Sequence, residues 1–465
     1  MIQAANALEG VPVTVMGLGL FGGGAAVARW LVGQGARVTV TDLRSAVELA
    51  PAVRTLEGFE VEFVLGEHRL ADFTRTGMVV ANPAVAPGNP LLAAARGAGV
   101  PVTSEMALFL ERCPARIAAV TGTQGKSSTC NTLAQLLAAC GIRVHLGGNI
   151  GRSLLESLRE MERDDVAVVE ISSYQLDALP AELGEPGSPP RVEVVAITNV
   201  LADHLERHGS VAAYAAAKRR ILPLAAATGG TAILPGEAPE LASWTEPGLR
   251  RLDCFATRAS DVGLNVHDGR FRLGLEQLAK VSDLRLRGTF QRENTLIALG
   301  MAKLLGAEAE RLATALPGVT ALPHRLEDLG TRRGHRVWDN GVSTTPDSTV
   351  SVLLSIAPGC TLLCGGKAKN LPLAELVDTA RARARRVIAF GEAADRFGSA
   401  FRSAGIETWA AASVEAAIDL AFEHMGPGEE LLFSPAAASF DAYLNFRERA
   451  LAFQRALPPV DADGR

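Results

Sequence analysis

The sequence predicts an α/β protein made of three consecutive domains with mostly parallel sheets. Apolar segments of strand length alternate with amphipathic helical segments along nearly the whole chain, which is typical of parallel sheets covered by helices. Many of these strand segments end in loops rich in glycine or serine. At 465 residues the chain is also too long for one ordinary core. We place the domains at residues 1–112, 113–318 and 319–465.

Composition excludes several classes of protein. Hydrophobic residues make up 48% and charged residues 21%, and the net charge of −5 is unlike that of a nucleic-acid-binding protein. No apolar run approaches the roughly 20 residues that span a bilayer, and the first residues lack the basic-then-apolar order of a signal peptide. The six scattered cysteines suggest small buried hydrophobes in a reducing compartment. We therefore expect a cytoplasmic monomer without a membrane or nucleic-acid partner.

The first domain opens with a strand, a glycine loop and a helix. Val11–Met16 is an apolar strand segment, and Gly17–Gly22 then reads G-x-G-x-x-G. A helix and the strand Arg37–Thr41 follow, and Asp42 closes that strand about 20 residues after the last glycine. This pattern binds a diphosphate joined to a sugar, with the carboxylate on a ribose hydroxyl. A UDP-sugar fits it as well as NAD does, in a Rossmann-like domain.

The second domain starts with a shorter phosphate loop. The strand Ile117–Val120 leads into G-x-x-G-K-S and then a helical segment. Backbone N–H groups and a helix N-terminus bind phosphate, Lys126 reaches the terminal phosphates, and the Ser127 hydroxyl can ligate Mg²⁺. The alternative is a glycine-rich turn with a surface lysine. We favour a P-loop ATPase-like domain that binds nucleotide with Gly122, Thr123, Gln124, Gly125, Lys126, Ser127 and Ser128.

Two further strand ends of this domain carry possible metal ligands. Val166–Glu170 ends in a carboxylate, and Val194–Thr198 leads to Asp203 and His204. Carboxylates at such strand ends hold the Mg²⁺ of bound nucleotides. A helix-terminal carboxylate and a surface imidazole are the alternatives. The helix Tyr214–Leu222 carries Lys218, which composition alone describes as an ordinary solvated lysine.

The third domain offers an arginine and a possible carboxylate site. Arg325 precedes the first strand and could meet a phosphate, or form an ion pair at the domain junction. The last strand runs into a serine-rich segment around Ser439, which we interpret as the N-terminus of the final helix. It could bind a carboxylate, with Lys369 across the sheet end, or Ser439 could only cap the helix.

The motif order resembles that of the Mur ligase family. The motifs are TGTQGKSS, GGNIG, EISSYQL, NVLADHLERHG, YAAAK, PHRLE and SPAAASFD. The last of these, with the N-terminal GLGLFG, is most similar to the members that add D-glutamate. The resemblance implies an ATP-dependent amide ligase of peptidoglycan precursor synthesis. It would join D-glutamate to UDP-N-acetylmuramoyl-L-alanine through an acyl phosphate and release ADP and phosphate.

The resemblance also implies roles for individual residues. Lys126 and Ser127 would hold the ATP phosphates and Mg²⁺, Glu170 would be a metal ligand, and His204 would line a second metal site. Lys218 matches a carbamylated lysine of the family. Further assignments are Asn149 facing the UDP-substrate, Arg325, Asn294 and Asp339 on ATP, Leu20, Phe21, Asp42 and Arg44 on uridine and diphosphate, and Thr344, Lys369, Ser439, Phe440 and Phe446 in the D-glutamate pocket.

Two segments depart from the family pattern. Gly288–Asn294 keeps only Asn294 of a polar pair that faces the base. Asp339-Asn340-Gly341 replaces Asn-Asp-Ser and so moves the expected ribose carboxylate by one position, and Val342 stands where some relatives have lysine. These changes concern the adenine and ribose contacts and leave the phosphate chemistry unaffected.

Three other functions fit parts of the sequence. An NAD-linked dehydrogenase would explain the first glycine motif but leave Lys126, Glu170 and His204 without a role. A nucleotide-gated binding protein, built on a degenerate ligase, would explain the two departing segments. A ligase for another amino acid is disfavoured by SPAAASFD.

Overall fold

The computed structural model describes residues 8–461 except 21, 152, 181–182, 184–188, 258 and 370. The chain forms two compact units. The first consists of Met1–Asp283 and Asn294–Gly318, and the second of Leu284–Glu293 and Val319–Arg465. Two of the three sheets lie in the first unit and one in the second.

The first sheet has five parallel strands in the order β3-β2-β1-β4-β5. Val15 and Met16 of β1 point to opposite faces and are both buried, because a parallel strand in the middle of a sheet is covered on both faces. The strands are β1 (Pro12–Met16), β2 (Arg37–Asp42), β3 (Val61–Leu65), β4 (Met78–Ala81) and β5 (Val102–Thr103), and the helices are α1 (Gly23–Gly33), α2 (Ala50–Arg54), α3 (Leu70–Thr74), α4 (Pro90–Gly97) and α5 (Glu105–Arg112).

The second sheet has nine strands in the order β14-β13-β12-β11-β10-β9-β6-β8-β7. Strand β13 runs antiparallel to both of its neighbours, β12 and β14, and all other neighbouring strands are parallel. Strand β6 lies between β8 and β9, so the loops that follow these three strands meet at one edge. The strands are β6 (Arg116–Thr121), β7 (Val144–Gly148), β8 (Val166–Glu170), β9 (Val192–Ile197), β10 (Thr231–Pro235), β11 (Arg250–Phe255), β12 (Leu264–His267), β13 (Arg270–Leu273) and β14 (Glu276–Lys280).

Seven α-helices follow among the described residues of the same part of the chain. They are α6 (Lys126–Ala139), α7 (Ser173–Asp177), α8 (Leu205–His208), α9 (Val211–Arg219), α10 (Leu222–Ala226), α11 (Thr289–Leu304) and α12 (Ala309–Ala315). The single helix predicted over Tyr214–Leu222 is wrong, because α9 ends at Arg219 and α10 starts at Leu222. The start of α11 lies in Leu284–Glu293 and groups with the second unit.

The third sheet has six strands in the order β15-β16-β20-β17-β18-β19, of which only β15 runs antiparallel to its neighbour. Leu362 and Leu363 of β17 belong to different hydrophobic clusters, because successive side chains point to opposite, helix-covered faces. The elements are β15 (Glu327–Arg332), β16 (His335–Asp339), β17 (Cys360–Gly365), β18 (Ala384–Phe390), β19 (Glu407–Ala411), β20 (Leu431–Ala436), α13 (Pro346–Leu353), α14 (Ala374–Arg383), α15 (Ala394–Ser403), α16 (Val414–His424) and α17 (Phe446–Ala456).

The predicted α/β class with mostly parallel sheets is confirmed. Each sheet falls within one of the ranges 1–112, 113–318 and 319–465, whose division into separate domains stays a prediction. All six cysteines are buried and free, as expected. Among the residues described, no helix combines the length and the apolarity needed to cross a membrane.

Candidate active site

The phosphate loop between β6 and α6 requires its two glycines. Gly122 has φ 147°, and a Cβ there would lie 1.9 Å from Thr198 Oγ1. Gly125 has φ 84°, and its Cβ would lie 2.3 Å from Asn294 Oδ1. Both the backbone conformation and the close neighbours therefore exclude a side chain. Helix α6 begins directly after Gly125, so the N–H groups of its first turn face the loop, as phosphate binding needs.

The segment after β9 holds this loop in shape. Asn199 accepts a hydrogen bond from the Gln124 N–H at Oδ1 (2.9 Å) and from the Thr123 N–H at its backbone oxygen (3.0 Å). The Thr198 hydroxyl donates to the Gln124 carbonyl. Because these contacts come from a neighbouring strand end, the loop is fixed before any anion arrives.

Two lysines meet on one carbonyl oxygen of the loop. Lys126 Nζ donates to the Gly122 and Thr123 carbonyls at 3.0 and 2.9 Å, and Lys218 Nζ donates to the Gly122 carbonyl at 2.6 Å. Lys218 is 1% exposed and lies 4.4 Å from the centre of the Tyr214 ring. Burial, and then the nearby Lys126 charge, lower the pKa of Lys218 to about 7. The prediction of an ordinary solvated lysine is wrong.

Glu170 brings a buried carboxylate to the end of β8. One oxygen, Oε1, accepts from Asn149 Nδ2 at 2.8 Å. The other, Oε2, is buried and has no hydrogen-bond partner among the described groups. The charges of Asp203 and Glu170 act on Lys218 and oppose the lowering of its pKa. A carboxylate oxygen buried without a donor is costly unless a cation meets it, so the donor set fits a divalent metal ion.

His204 joins the site through two tyrosines. It adopts φ 51° at the start of α8, and its ring lies edge-on to Tyr174, with centroids 5.1 Å apart. The Tyr174 hydroxyl lies 3.4 Å from His204 Nδ1. Tyr214 lies 6.3 Å from the His204 ring and donates from its hydroxyl to Thr123 Oγ1 at 3.2 Å. His204 is thereby linked to the phosphate loop.

The glycine loop of the first sheet uses Asp42 as a backbone acceptor. Asp42 is 8% exposed, and its two oxygens accept from the N–H groups of Gly19 (3.1 Å) and Arg44 (2.9 Å). The Leu20 and Arg44 side chains are exposed beside it. Phe21, predicted to contact the uridine region, lies outside the described residues.

In the second unit, Asp339 is fully buried in a hydrogen-bond network. Its Oδ1 accepts from the Gly341 N–H at 2.7 Å. Its Oδ2 accepts from His324 Nδ1 at 2.7 Å and from Gln454 Nε2 at 2.8 Å. These contacts leave its carboxylate turned away from solvent, and the ATP-binding role of Asp339 stays a prediction. The sequence gives no signal for Gln454, which comes from α17.

Arg325, the residue predicted to meet ATP, sits on a strained turn. The residues on either side, His324 and Leu326, have φ 62° and 52°, which side chains other than glycine adopt at a cost. The His324–Asp339 contact and a bond from the His324 N–H to Glu327 Oε2 (2.8 Å) hold this turn.

The residues predicted for the D-glutamate pocket lie on three loops of the second unit and at the start of α17. Ser439 is 2% exposed and Phe440 61% exposed, before α17 begins at Phe446. The N-cap of α17 is Asn445, which accepts from the Glu448 N–H, so the prediction that Ser439 forms this helix N-terminus is wrong. Thr344 is half-buried ahead of α13, and the Lys369 side chain is exposed.

Buried Arg449, which sequence reasoning missed, ties these loops together. Its Nη1 donates to the carbonyls of Ala437 (2.9 Å) and Ala438 (3.0 Å), and its Nη2 to that of Ser343 (3.3 Å). Ser343 precedes Thr344 and Ala438 precedes Ser439, so one guanidinium fixes the backbone positions directly before both predicted pocket residues. Burial lowers the pKa of Arg449 to about 10. The sequence does contain a signal for its burial, because Arg449 stands four positions before Phe453 and so lies on the apolar face of α17.

Known proteins provide matches along almost the whole chain. The Mur ligase middle domain matches residues 120–302, and the MurD-like N-terminal domain of Mur ligases matches residues 12–104. The UDP-N-acetylmuramoylalanine–D-glutamate ligase of Geobacter metallireducens is 34% identical over 95% of this chain and 96% of its own length. A protein of the same name from Trichlorobacter lovleyi is 35% identical over 95% and 97%. This chain belongs to the Mur ligase family.

Solved Mur ligase structures share the fold. UDP-N-acetylmuramate–alanine ligase MurC from Thermotoga maritima gives a TM-score of 0.59 at 18% identity, covering 96% of this chain and 98% of its own. The MurF ligase of Thermotoga maritima in complex with ADP gives 0.58 at 17%, covering 97% and 96%. The family predicted from the motif order is confirmed.

Proposed function

We propose that this Mur ligase uses ATP to join D-glutamate to UDP-N-acetylmuramoyl-L-alanine in peptidoglycan precursor synthesis. Two relatives named UDP-N-acetylmuramoylalanine–D-glutamate ligase are 34% and 35% identical over 95% of the chain. The observation that supports it most is the buried, unpartnered Oε2 of Glu170 beside a phosphate loop with two lysines. That arrangement suits the transfer of a phosphoryl group.

The reaction has two displacement steps. A carboxylate oxygen of the UDP-substrate attacks the γ-phosphorus of ATP, and the bond to the β–γ bridging oxygen breaks to release ADP. The D-glutamate amine then attacks the acyl carbon, loses a proton, and phosphate leaves with the C–O bonding electrons. Lys126 and the N–H groups of the loop stabilise the charge that develops on the phosphoryl oxygens.

We further propose that Ser127, Glu170, His204 and a modified Lys218 hold Mg²⁺ at two sites. Bound there, Mg²⁺ supplies positive charge to the transferring phosphoryl group. The lone pair of a neutral Lys218 amine adds to the carbon of CO₂, and the nitrogen loses a proton, which leaves an anionic carbamate. Burial favours the neutral amine that this addition needs.

The remaining predicted residues bind the other parts of the substrates. Leu20, Phe21, Asp42, Arg44 and Asn149 serve the UDP-substrate, and Thr344, Lys369, Ser439, Phe440 and Phe446 serve D-glutamate. Asn294 is the candidate for adenine, because its Nδ2 is buried without a partner among the described groups. Arg325 contacts ATP, whereas Asp339 supports its turn. The expected monomer stays a prediction.

Phosphate release tests this function. With ATP, Mg²⁺ and UDP-N-acetylmuramoyl-L-alanine, we expect release that requires D-glutamate and is not supported by L-glutamate, L-alanine or glycine. Glu170→Gln lowers the rate about 100-fold or more. The control Glu193→Gln, which removes a carboxylate paired with Arg116 in the same sheet, keeps the rate within a few-fold. Release that ignores D-glutamate would contradict the proposal.

A further inference from the structure

Arg207 connects two loops of the first unit. It lies on the short helix α8, three residues after His204. Its Nη2 donates to the carbonyl oxygens of Val85 (3.0 Å) and Pro83 (3.4 Å), and its Nη1 donates to that of Ala84 (3.3 Å). One guanidinium thus holds three consecutive carbonyls of a loop about 120 residues earlier in the chain.

The other side of Arg207 faces the histidine of the proposed metal site. The guanidinium carbon lies 5.1 Å from the centre of the Tyr174 ring, within the range of a cation–π contact. The same ring packs edge-on against His204, and its hydroxyl lies 3.4 Å from Nδ1 of that imidazole. A displacement of Arg207 would therefore move the aromatic support of His204.

The loop that Arg207 holds belongs to the proposed UDP-substrate site. It follows β4, and Asn82 at its start donates from Nδ2 to the Gly17 carbonyl at 3.4 Å. A Cβ on Gly17 would lie 2.9 Å from Asn82 Cβ, so this loop rests on the glycine loop. Asn82 Oδ1 also accepts from the Ala84 N–H at 3.0 Å, which fixes the turn that presents the carbonyls.

We propose that Arg207 is a positioning residue that couples UDP-substrate binding to binding of the magnesium-bound nucleotide. Substrate that orders the glycine loop and the segment Asn82–Val85 also fixes Arg207, Tyr174 and the His204 backbone. The residues of the metal site are then already ordered when the nucleotide arrives. By the same coupling, bound nucleotide orders the segment Asn82–Val85 before the UDP-substrate arrives. This inference rests on the proposed function and adds a route by which its two sites communicate.

The coupling is measured by calorimetry on the full chain. The dissociation constant of UDP-N-acetylmuramoyl-L-alanine is determined with and without saturating Mg·ADP. For the unmodified chain we expect binding to tighten about fivefold or more with Mg·ADP. Arg207→Met brings this factor close to one. Arg207→Lys keeps the charge but loses the planar fork, and also lowers the factor; it decides the matter if the methionine variant does not fold.

The matched control is Arg219→Met. Arg219 also donates to a backbone carbonyl, that of Thr245, and to a carboxylate, that of Glu246, and neither residue belongs to the two loops that Arg207 connects. We expect the Arg219→Met variant to keep the full coupling factor. A foldable Arg207 variant that retains the coupling, or an unmodified chain that binds both ligands without coupling, overturns the inference alone. An unmodified chain that does not bind the UDP-substrate overturns the proposed function as well.

Discussion

The buried amine of Lys218 makes the stability of the ligand-free protein depend on pH. Its pKa is about 7 in the folded chain against 10.5 as a free side chain. Between these values the unfolded chain binds one more proton than the folded chain, so stability rises with pH. Below pH 7 both states carry the charge, and the folded state bears the whole cost of burying it.

Lys218→Met removes this cost. In nucleotide-free, CO₂-depleted buffer we expect the variant to be more stable than the unmodified chain by about 1–3 kcal/mol at pH 6.5–7. The difference shrinks as pH rises towards 10. Urea unfolding midpoints at pH 6.5, 8 and 9.5 measure it. The control Lys303→Met, which removes a half-buried lysine that is paired with Glu276 at 2.8 Å, gives no such gain. A gain independent of pH would show that burial of charge is not its cause.

At the scale of elements, Gly125 at the start of α6 has a matched partner at the end of the same helix. Gly125 and Gly141 share φ 84°. A Cβ on Gly141 meets nothing within 4 Å, whereas one on Gly125 would overlap Asn294 Oδ1. Alanine at either position has the same backbone strain of about 1 kcal/mol. Only the first displaces a side chain of the proposed nucleotide site.

Gly125→Ala therefore weakens ATP binding much more than Gly141→Ala does. We expect at least a tenfold loss of affinity for Mg·ATP in the first variant and less than a twofold change in the second, measured by calorimetry. Similar losses of thermal stability in both variants would confirm that the strain is shared. Equal ATP affinities would mean that the loop accommodates the methyl group and that Asn294 is not needed there.

The strands beside the site could be predicted, whereas the surroundings of single side chains could not. Strand β8 has the predicted bounds because parallel strands buried on both faces are continuous apolar runs. The burial of Lys218 depends on Gly122 and Tyr214, which reach it through folding. Ser439 has the chemistry of an N-cap, yet the chain continues to Asn445 before α17 starts. Local preference permits both positions, and packing selects one.

At the scale of the whole molecule, the segment Leu284–Glu293 groups with the second unit although the sequence places it in the central range. Phe290 packs against a hydrophobic cluster of the second unit, and the Arg287 guanidinium lies 4.8 Å from the Trp338 ring. The sequence predicts the helix that begins here but not the core that its first turn joins. A helical pattern is local, and this contact is not.

Two substitutions on α11 test the stability of the two units separately. Phe290→Ala is expected to destabilise the second unit by about 1–3 kcal/mol, because the ring is half-buried. Hydrogen exchange followed by mass spectrometry then accelerates in β16, β17 and β20. Leu296→Ala, which empties a fully buried position of the first unit, accelerates exchange in the strands of that unit instead. Identical exchange patterns would mean that the chain unfolds as one cooperative body.

Residues 264–280, which form strands β12 to β14, carry none of the proposed chemistry but determine how the second sheet ends. A parallel sheet that stopped at β11 would present open backbone hydrogen-bonding groups to any other extended chain. Here the margin is instead β14, a short strand with Glu276 and Lys280 at its ends, and α12 lies against it. This margin is a poor template for further strand pairing. We therefore expect little aggregation through strand pairing at β14, even at high concentrations of the enzyme.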